Sequence, residues 1–300
     1  MFISPKKADK NKKNLVYELK LSDGSVLPYQ IVGSGDPIIF IHGLFGKAED
    51  YKEVIQKISK NYCCISFDLR GHGKSKSETG FKIAQFAKDL KVLIDSLFLI
   101  NPSIVGYSTG ALTLFSYLEQ FGCNNLNKLV FVDITPKMIN DKNWTLGLYR
   151  GEYHEEDYHR DLLTMNHNFI KFASFFTYRN MTKYNESSVY RKNANLLSKL
   201  LAKLLIGNNY KKQHMTSALW KDIAGCDFRN TLKTIKVPTA FFYADPGSLF
   251  SPDTAHYMQS QVLYDSITVS FKNASHALLF SHGEQFAKEL IIFMKEGKTL

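Results

Sequence analysis

Five residues, Gly106-Tyr107-Ser108-Thr109-Gly110, carry the clearest chemical signal in the chain. They match the pattern G-x-S-x-G and stand between an apolar run, Ser103 to Tyr107, and a segment of helical spacing, Thr109 to Phe121. A serine in such a strand-to-helix turn exposes its hydroxyl at the strand's carboxyl end, beside the amino end of the helix. Only small flanking residues permit a turn that tight. The chemistry served by this placement is nucleophilic attack, with Ser108 as the nucleophile. A serine hydroxyl is a poor nucleophile until a neighbouring imidazole takes its proton, and nine histidines are available. The tetrahedral intermediate of such an attack needs hydrogen-bond donors fixed before the reaction. The backbone N–H of Thr109 is one candidate. That of Leu44, within His42-Gly43-Leu44-Phe45-Gly46, is the other, because glycines on both sides let this loop pass close to the serine. His42 itself reads as a hydrogen-bonder that braces the loop.

The elements that must position these residues alternate along the chain. Leu15 to Leu21 and Val26 to Val32 read as strands joined by the turn Ser22-Asp23-Gly24 into an antiparallel hairpin. Pro37 to Ile41 and Tyr62 to Phe67 are short continuous apolar runs, as expected of strands buried on both faces. Helical periodicity is expected over 48–60, and over 83–97 it places Ile83, Phe86, Leu90, Leu93 and Leu97 on one face. After Ser103 to Tyr107 and its helix, Leu129 to Val132 is a further strand. Strands alternating with helices imply an α/β fold whose mostly parallel sheet is covered on both faces. From Lys137 to Gly225 the pattern turns helical, aromatic and basic. Leucine pairs recur every four residues from Leu196 to Leu205, with Gly207 as the expected cap. The α/β rhythm resumes with strands at Val237 to Tyr243 and Ile267 to Phe271, and helices at Pro252 to Ser260 and Glu284 to Met294. The organisation read from this order is a basic tail (1–14), a core domain (15–136 and 226–300) and a helical cap insertion (137–225).

Composition narrows the function classes. The formal charge of +10 is concentrated in the tail and in the middle segment. From Arg179 to Lys236, nine Lys and three Arg face only Glu186, Asp222 and Asp227. No nucleic-acid module accompanies these charges, so they read as a solvated lysine-rich surface or an entrance that attracts anionic substrates, with no nucleic-acid partner. No run of eighteen apolar residues exists, which excludes a spanning helix in this sequence. The lysines of the amino-terminal segment follow its short apolar stretch, the wrong order for a secretory signal, and a cytoplasmic address is the default expectation. The four cysteines have neither metal-ligand nor disulfide-framework spacing and read as reduced thiols. With no phosphate-binding glycine loop, metal cluster or nicotinamide fingerprint, a cofactor-independent protein is expected.

HGLFG at 42–46, DLRGHGKS at 68–75, GYSTG at 106–110, VDITP at 132–136 and NASHALLF at 273–280 occur in the order found in the α/β-hydrolase superfamily. Over residues 15–136 and 232–296 the chain resembles its esterase and haloperoxidase-like branch. The resemblance implies an α/β-hydrolase fold, a mostly parallel sheet of about eight strands with a helical cap insertion. It also implies His276, after the last strand, as the general base. His282 is its main rival, while His154, His159, His167 and His214 fall in the insertion. In such proteins the 68–75 segment is a structural turn, so Asp68, Arg70 and His72 take no catalytic step. Most relatives carry the acid after the strand that follows the insertion, in a G-x-x-D pattern. Here that position holds Gly247. As in haloalkane dehalogenases and some HGLFG-type esterases, the resemblance then implies an acid from the strand before the insertion, where Asp133 stands; Asp245, serving from a shifted loop, is the alternative.

The implied activity is that of a serine hydrolase acting on a small-molecule carboxylic ester or thioester through a Ser-His-Asp triad. Phe45, Tyr107 and Trp144 are expected in the substrate pocket. Of the insertion's other aromatics, Phe169, Phe172, Phe175, Phe176 and Tyr178, more are expected in the core than on the substrate wall. A basic cap suits substrates with a distal negative charge. C–C bond hydrolysis, cofactor-free haloperoxidase-like activity and acyl transfer would use the same serine, and a ligand-binding receptor is the non-enzymatic alternative.

Overall fold

The computed structural model of the chain describes residues 16–184, 199–200, 203 and 210–297. The amino-terminal tail and most of the leucine-pair helix expected at 196–205, with its Gly207 cap, lie outside the described residues. Strands β1 (Val16–Lys20), β2 (Val26–Val32), β3 (Asp36–Ile41), β4 (Tyr62–Phe67), β5 (Ser103–Tyr107), β6 (Leu129–Val132), β7 (Thr239–Pro246) and β8 (Ser266–Ala274) form one sheet. Their order is β1-β2-β4-β3-β5-β6-β7-β8. β1 and β2 pair antiparallel, as the hairpin reading requires, and β2 pairs antiparallel with β4; every other pairing is parallel.

The continuous apolar runs are explained by how their alternate residues divide. Along β3, Ile39 and Ile41 enter one core while Ile38 and Phe40 enter the other. β6 splits in the same way, Leu129 and Phe131 against Val130 and Val132. A strand with both faces covered has no side left for polar residues. The first core is covered by α2 (Ile83–Ser96) and α3 (Thr109–Phe121); the second by α1 (Lys52–Ile58) and α9 (Gly283–Glu296). Within α9, Phe286, Leu290 and Phe293 recur at helical spacing and are fully buried.

Between β6 and β7 the chain leaves the sheet and builds α4 (Glu155–His167), α5 (Phe169–Met181) and α6 (Tyr210–Gly225). It departs and returns through a narrow neck. Lys137 and Asp227 pair as an isolated antiparallel bridge, and the Phe228 N–H donates to the Pro136 carbonyl at 2.9 Å. The Asp222 carboxylate accepts the Ile83 N–H at 2.7 Å, satisfying a donor in the first turn of α2 from across the molecule. Two further helices follow β7: α7 (Pro252–Gln261), and the short α8 (Leu278–Ser281) just before α9. Among the described residues, no helix is long and apolar enough to cross a membrane.

The turn after β4 is held by a buried ion pair. Arg70, 1% exposed, donates Nε and Nη2 to the Asp89 carboxylate at 2.7 and 2.8 Å, and Nη1 to Asp23 at 2.6 Å. Without Asp89 the buried guanidinium keeps only the part-exposed Asp23 as counter-charge, so Asp89→Ala is expected to lower unfolding free energy by about 3 kcal/mol. A denaturant midpoint unchanged by Asp89→Ala would contradict that role.

Candidate active site

The turn at Ser108 is as tight as its glycines suggest. A Cβ on Gly106 would lie 2.6 Å from the Gly110 carbonyl oxygen, and one on Gly110 would lie 2.2 Å from that of Ile41. Both distances are below contact, so any other residue would push β5, α3 and β3 apart. Ser108 itself has φ 54° and ψ −117°. This is the left-handed side of the map, which a residue with a Cβ occupies only when its surroundings impose it. Its N–H is tied to the Val132 carbonyl at 3.0 Å, and its carbonyl accepts from Ala111 and Leu112 in the first turn of α3. Thr109 is the first residue of that helix, where backbone N–H groups have no partner inside the helix.

The HGLFG loop follows β3 and reaches the same place. A Cβ on Gly43 would stand 3.1 Å from the Ser108 Cβ. Leu44 and Phe45 are half-buried, and Phe45 meets Phe176 of α5 edge-on at 6.1 Å. His42 is fully buried and braces the loop, as expected. Its Nδ1 lies 2.8 Å from the Gly43 carbonyl and its Nε2 accepts the Leu69 N–H at 3.0 Å. Those two contacts require the neutral tautomer with the proton on Nδ1. Burial holds the His42 pKa down at about 4 and that of His72, 5.2 Å away ring to ring, at about 3. Both folded values are below the unfolded histidine value, so the stability they contribute is complete above about pH 6.5. It is lost as the pH falls through that value toward 4 and 3. A melting temperature that stays flat from pH 7 to pH 4 would contradict this reading; a steady fall across that window is expected.

The loop after β8 carries His276, 2% exposed. Its Nδ1 lies 2.6 Å from Asp133 Oδ2, and Asp133 is 3% exposed. The carboxylate's other oxygen accepts the Ala244 N–H at 3.1 Å, and the Asp133 N–H donates to the Phe242 carbonyl at 2.8 Å. Asp133 has φ 44°, so the chain bends sharply at the end of β6 and delivers the carboxylate sideways across β7 to the histidine. Asp245 is placed differently. It faces Ser270 and Lys272 of β8 and forms its ion pair with Lys272, which is 76% exposed. Of the two candidate acids, Asp133 is the one in contact with His276.

His282 and three of the four insertion histidines have other partners. His282 Nε2 lies 3.1 Å from the Lys272 carbonyl and its Nδ1 contacts Ser281. His154 contacts the Asn140 carbonyl, His159 pairs with Glu155, and His214 stands edge-on to Phe81. In the 68–75 turn, Asp68 accepts the N–H groups of Ala48 and Lys74 at 2.7 Å each, a purely structural arrangement.

Two of the residues expected in the pocket wall have defined polar partners. Tyr107 lies against His276: its ring stacks on the imidazole with centroids 5.1 Å apart, and its hydroxyl donates to the His276 carbonyl at 2.6 Å. Trp144 packs at the neck of the insertion, against Tyr257 at 5.0 Å and beneath Arg229, with Nε1 donating to the Lys137 carbonyl. An indole that needs a partner for its N–H finds one more readily at a backbone turn than on an open apolar wall. The insertion's phenylalanines are mainly core, as expected. Phe169, Phe172 and Phe176 are buried and stacked in series, with Trp220 against the last two.

Sequence reasoning missed Ser248, whose Oγ accepts the His276 N–H at 2.7 Å, and Phe250, which meets the imidazole edge-on at 5.7 Å. Nothing in the local pattern of the 247–250 turn marks either. A cavity of about 1050 Å³ lies within the insertion, between α4, α5 and Lys199, Leu200 and Lys203; its walls include no residue of the sheet. Among the described residues, no group of three or more His, Cys, Asp or Glu converges as a metal would need.

Comparisons with known proteins agree with this architecture. A non-heme haloperoxidase of Rhodococcus erythropolis is 30% identical over 120 residues, 39% of this chain and 44% of that protein. The chain thus spans less than half the length of the curated relatives it matches first. The bromoperoxidase of Bacillus anthracis has the same fold with a TM-score of 0.80 at 20% identity, over 95% of this chain and 100% of that one. An esterase of Exiguobacterium antarcticum also gives 0.80, at 19% identity, over 94% and 100%. The family model described as alpha/beta hydrolase fold matches residues 36–283, a span that takes in the turn at Ser108 and the loops of Asp133 and His276. The chain belongs to the alpha/beta hydrolase fold family.

Proposed function

We propose that the chain is a serine hydrolase that cleaves a carboxylic ester or thioester through an acyl-enzyme. The observation that carries this reading is the buried 2.6 Å contact between Asp133 and His276 Nδ1, in a fold that also presents Ser108 at a strained strand-to-helix turn. With Nδ1 committed to the carboxylate, Nε2 is the nitrogen left to take the serine proton. The Ser108 oxygen attacks the carbonyl carbon as His276 accepts its proton, and the oxyanion is held by the N–H groups of Leu44 and Thr109. The imidazolium, stabilised by Asp133, returns the proton to the leaving alcohol or thiol as the C–O or C–S bond breaks. Water, deprotonated by the same imidazole, then attacks the acyl-enzyme and releases the acid.

In this reading residues 137–225 form a cap over the nucleophile, and the half-buried Phe45 supplies apolar surface for the acyl group. The test is turnover of p-nitrophenyl esters from acetate to decanoate, together with trapping of the nucleophile by a fluorophosphonate. Hydrolysis with one phosphonyl adduct on Ser108 is the expected result. A folded protein inert on every ester and unlabelled at Ser108 would refute the reading and favour ligand binding without turnover. The name of the Rhodococcus erythropolis relative motivates one second reading, haloperoxidase-like activity at the same serine. Peroxide-dependent halide oxidation that survives Ser108→Ala would rule out that serine's part in it.

A further inference from the structure

A general base carried on a loop must have its main chain held as well as its ring. Both main-chain polar groups of His276 are held by side chains. Its N–H donates to Ser248 Oγ at 2.7 Å, and its carbonyl accepts the Tyr107 hydroxyl at 2.6 Å. The same tyrosine covers one face of the imidazole, centroids 5.1 Å apart with 26° between the planes, while Phe250 meets the ring edge-on. Tyr107 is 8% exposed, and a Cβ on Gly43 would lie 3.3 Å from its Cδ1. One side chain therefore touches the base's ring, the base's backbone and the loop that carries Leu44. In the chain it immediately precedes Ser108.

We propose that Tyr107 is a positioning residue for the base: its hydroxyl, by fixing the His276 carbonyl, sets where the imidazole stands relative to Ser108. The inference rests on the serine-hydrolase reading and adds a residue to it. Ring stacking restrains the imidazole along its normal but lets it slide in its own plane. The hydrogen bond to the carbonyl, together with that from the N–H to Ser248, removes this freedom at the backbone. Asp133 then aligns the ring that these two bonds have placed. Phenylalanine in the same space would keep the stacking but leave a buried carbonyl without its donor, which costs more than the bond itself contributes. The loop would relax toward another donor, and a displacement of a fraction of an ångström in a proton acceptor lowers the rate without weakening substrate binding.

The test compares wild type, Tyr107→Phe and a protein with 4-aminophenylalanine at position 107, whose amine can donate to the same carbonyl. Active sites are counted by fluorophosphonate titration, so that misfolded protein does not enter kcat. Tyr107→Phe is expected to lose about tenfold or more in kcat with KM within about twofold, and the amine to recover most of that loss. 4-Methylphenylalanine fills the hydroxyl's volume without a donor and supplies the same comparison if Tyr107→Phe does not fold. Wild-type kcat per titrated site in the donor-free variants would overturn the proposal, as would an amine variant no better than phenylalanine. A role in stability alone would lower the titratable fraction and leave kcat per site unchanged. Wild-type protein without Ser108-dependent turnover would instead sink the hydrolase reading itself, so the two failures are distinct.

Discussion

Ser108→Ala is expected to lower ester turnover by about 10⁶-fold while leaving the protein folded. The size follows from the role: without the hydroxyl no acyl-enzyme forms, and the Asp133–His276 pair has no proton to take. The fold is spared because the Ser108 side chain makes no capping bond to α3; the backbone contacts that shape the turn, to Val132, Ala111 and Leu112, belong to its N–H and C=O. Alanine also has a Cβ, so the positive φ costs the variant about what it costs the serine. Residual catalysis over the uncatalysed reaction is expected, because the proposed oxyanion donors, the N–H groups of Leu44 and Thr109, are left in place by the substitution. The measurement is kcat for a p-nitrophenyl ester beside the melting temperature of the same preparation. A folded variant retaining more than about a hundredth of wild-type turnover would eliminate Ser108 as nucleophile, given the usual size of such losses.

Asp133→Asn is expected to reduce kcat by about 10⁴-fold, and Asp245→Asn by no more than about threefold. Asparagine preserves the shape of the buried site and can still accept the Ala244 N–H. Toward His276, however, it can present an amide donor where the carboxylate accepted. The imidazole then answers by accepting at Nδ1 and carrying its proton on Nε2, the wrong tautomer for taking a proton from Ser108. The positive charge on the imidazolium also loses its buried counter-charge. Asp245 has neither relation. Its partners are Ser270 and the exposed Lys272, and a solvent-screened surface pair of that kind contributes little to stability. KM should change little in either variant. If Asp245→Asn fell furthest, the acid would have to reach His276 through a rearranged 243–250 loop, and the contact with Asp133 would be structural.

Much of this protein is legible along the chain because much of it is locally encoded. Val26–Val32, Tyr62–Phe67, Ser103–Tyr107, Thr109–Phe121 and Leu129–Val132 begin and end where their apolar periodicity does. A strand covered on both faces is apolar throughout, and that is visible in a few residues. Other elements shift at their ends: β7 starts at Thr239 and runs on to Pro246, and β8 extends to Ala274. There pairing with the neighbouring strand, rather than side-chain type, decides where the ladder stops. The neck of the insertion, at Pro136–Lys137 and Asp227–Phe228, falls beside the change from buried strand to basic helix.

The turn at Ser108 is equally local. Its glycines are required by atoms within a few residues and by the adjacent strand, so type and spacing suffice to find it. The acid is another matter. Asp133 and His276 are 143 residues apart, and two aspartates, 133 and 245, stand at the ends of neighbouring parallel strands. Which of them meets the histidine depends on a sharp backbone bend after Val132 and on β8 drawing Asp245 toward Lys272, neither of which composition or periodicity encodes. Tyr107 and Trp144 repeat the point: their aromatic type and their places near the motifs do not reveal that their polar atoms meet the His276 and Lys137 carbonyls. The sequence by itself determined the order of elements, the tight turn at Ser108 and the loop beside it, because those depend on short-range sterics. Only the tertiary structure decided which carboxylate faces His276 and what holds that histidine in place, because such contacts join loops whose relative positions are set by the packing of the whole sheet.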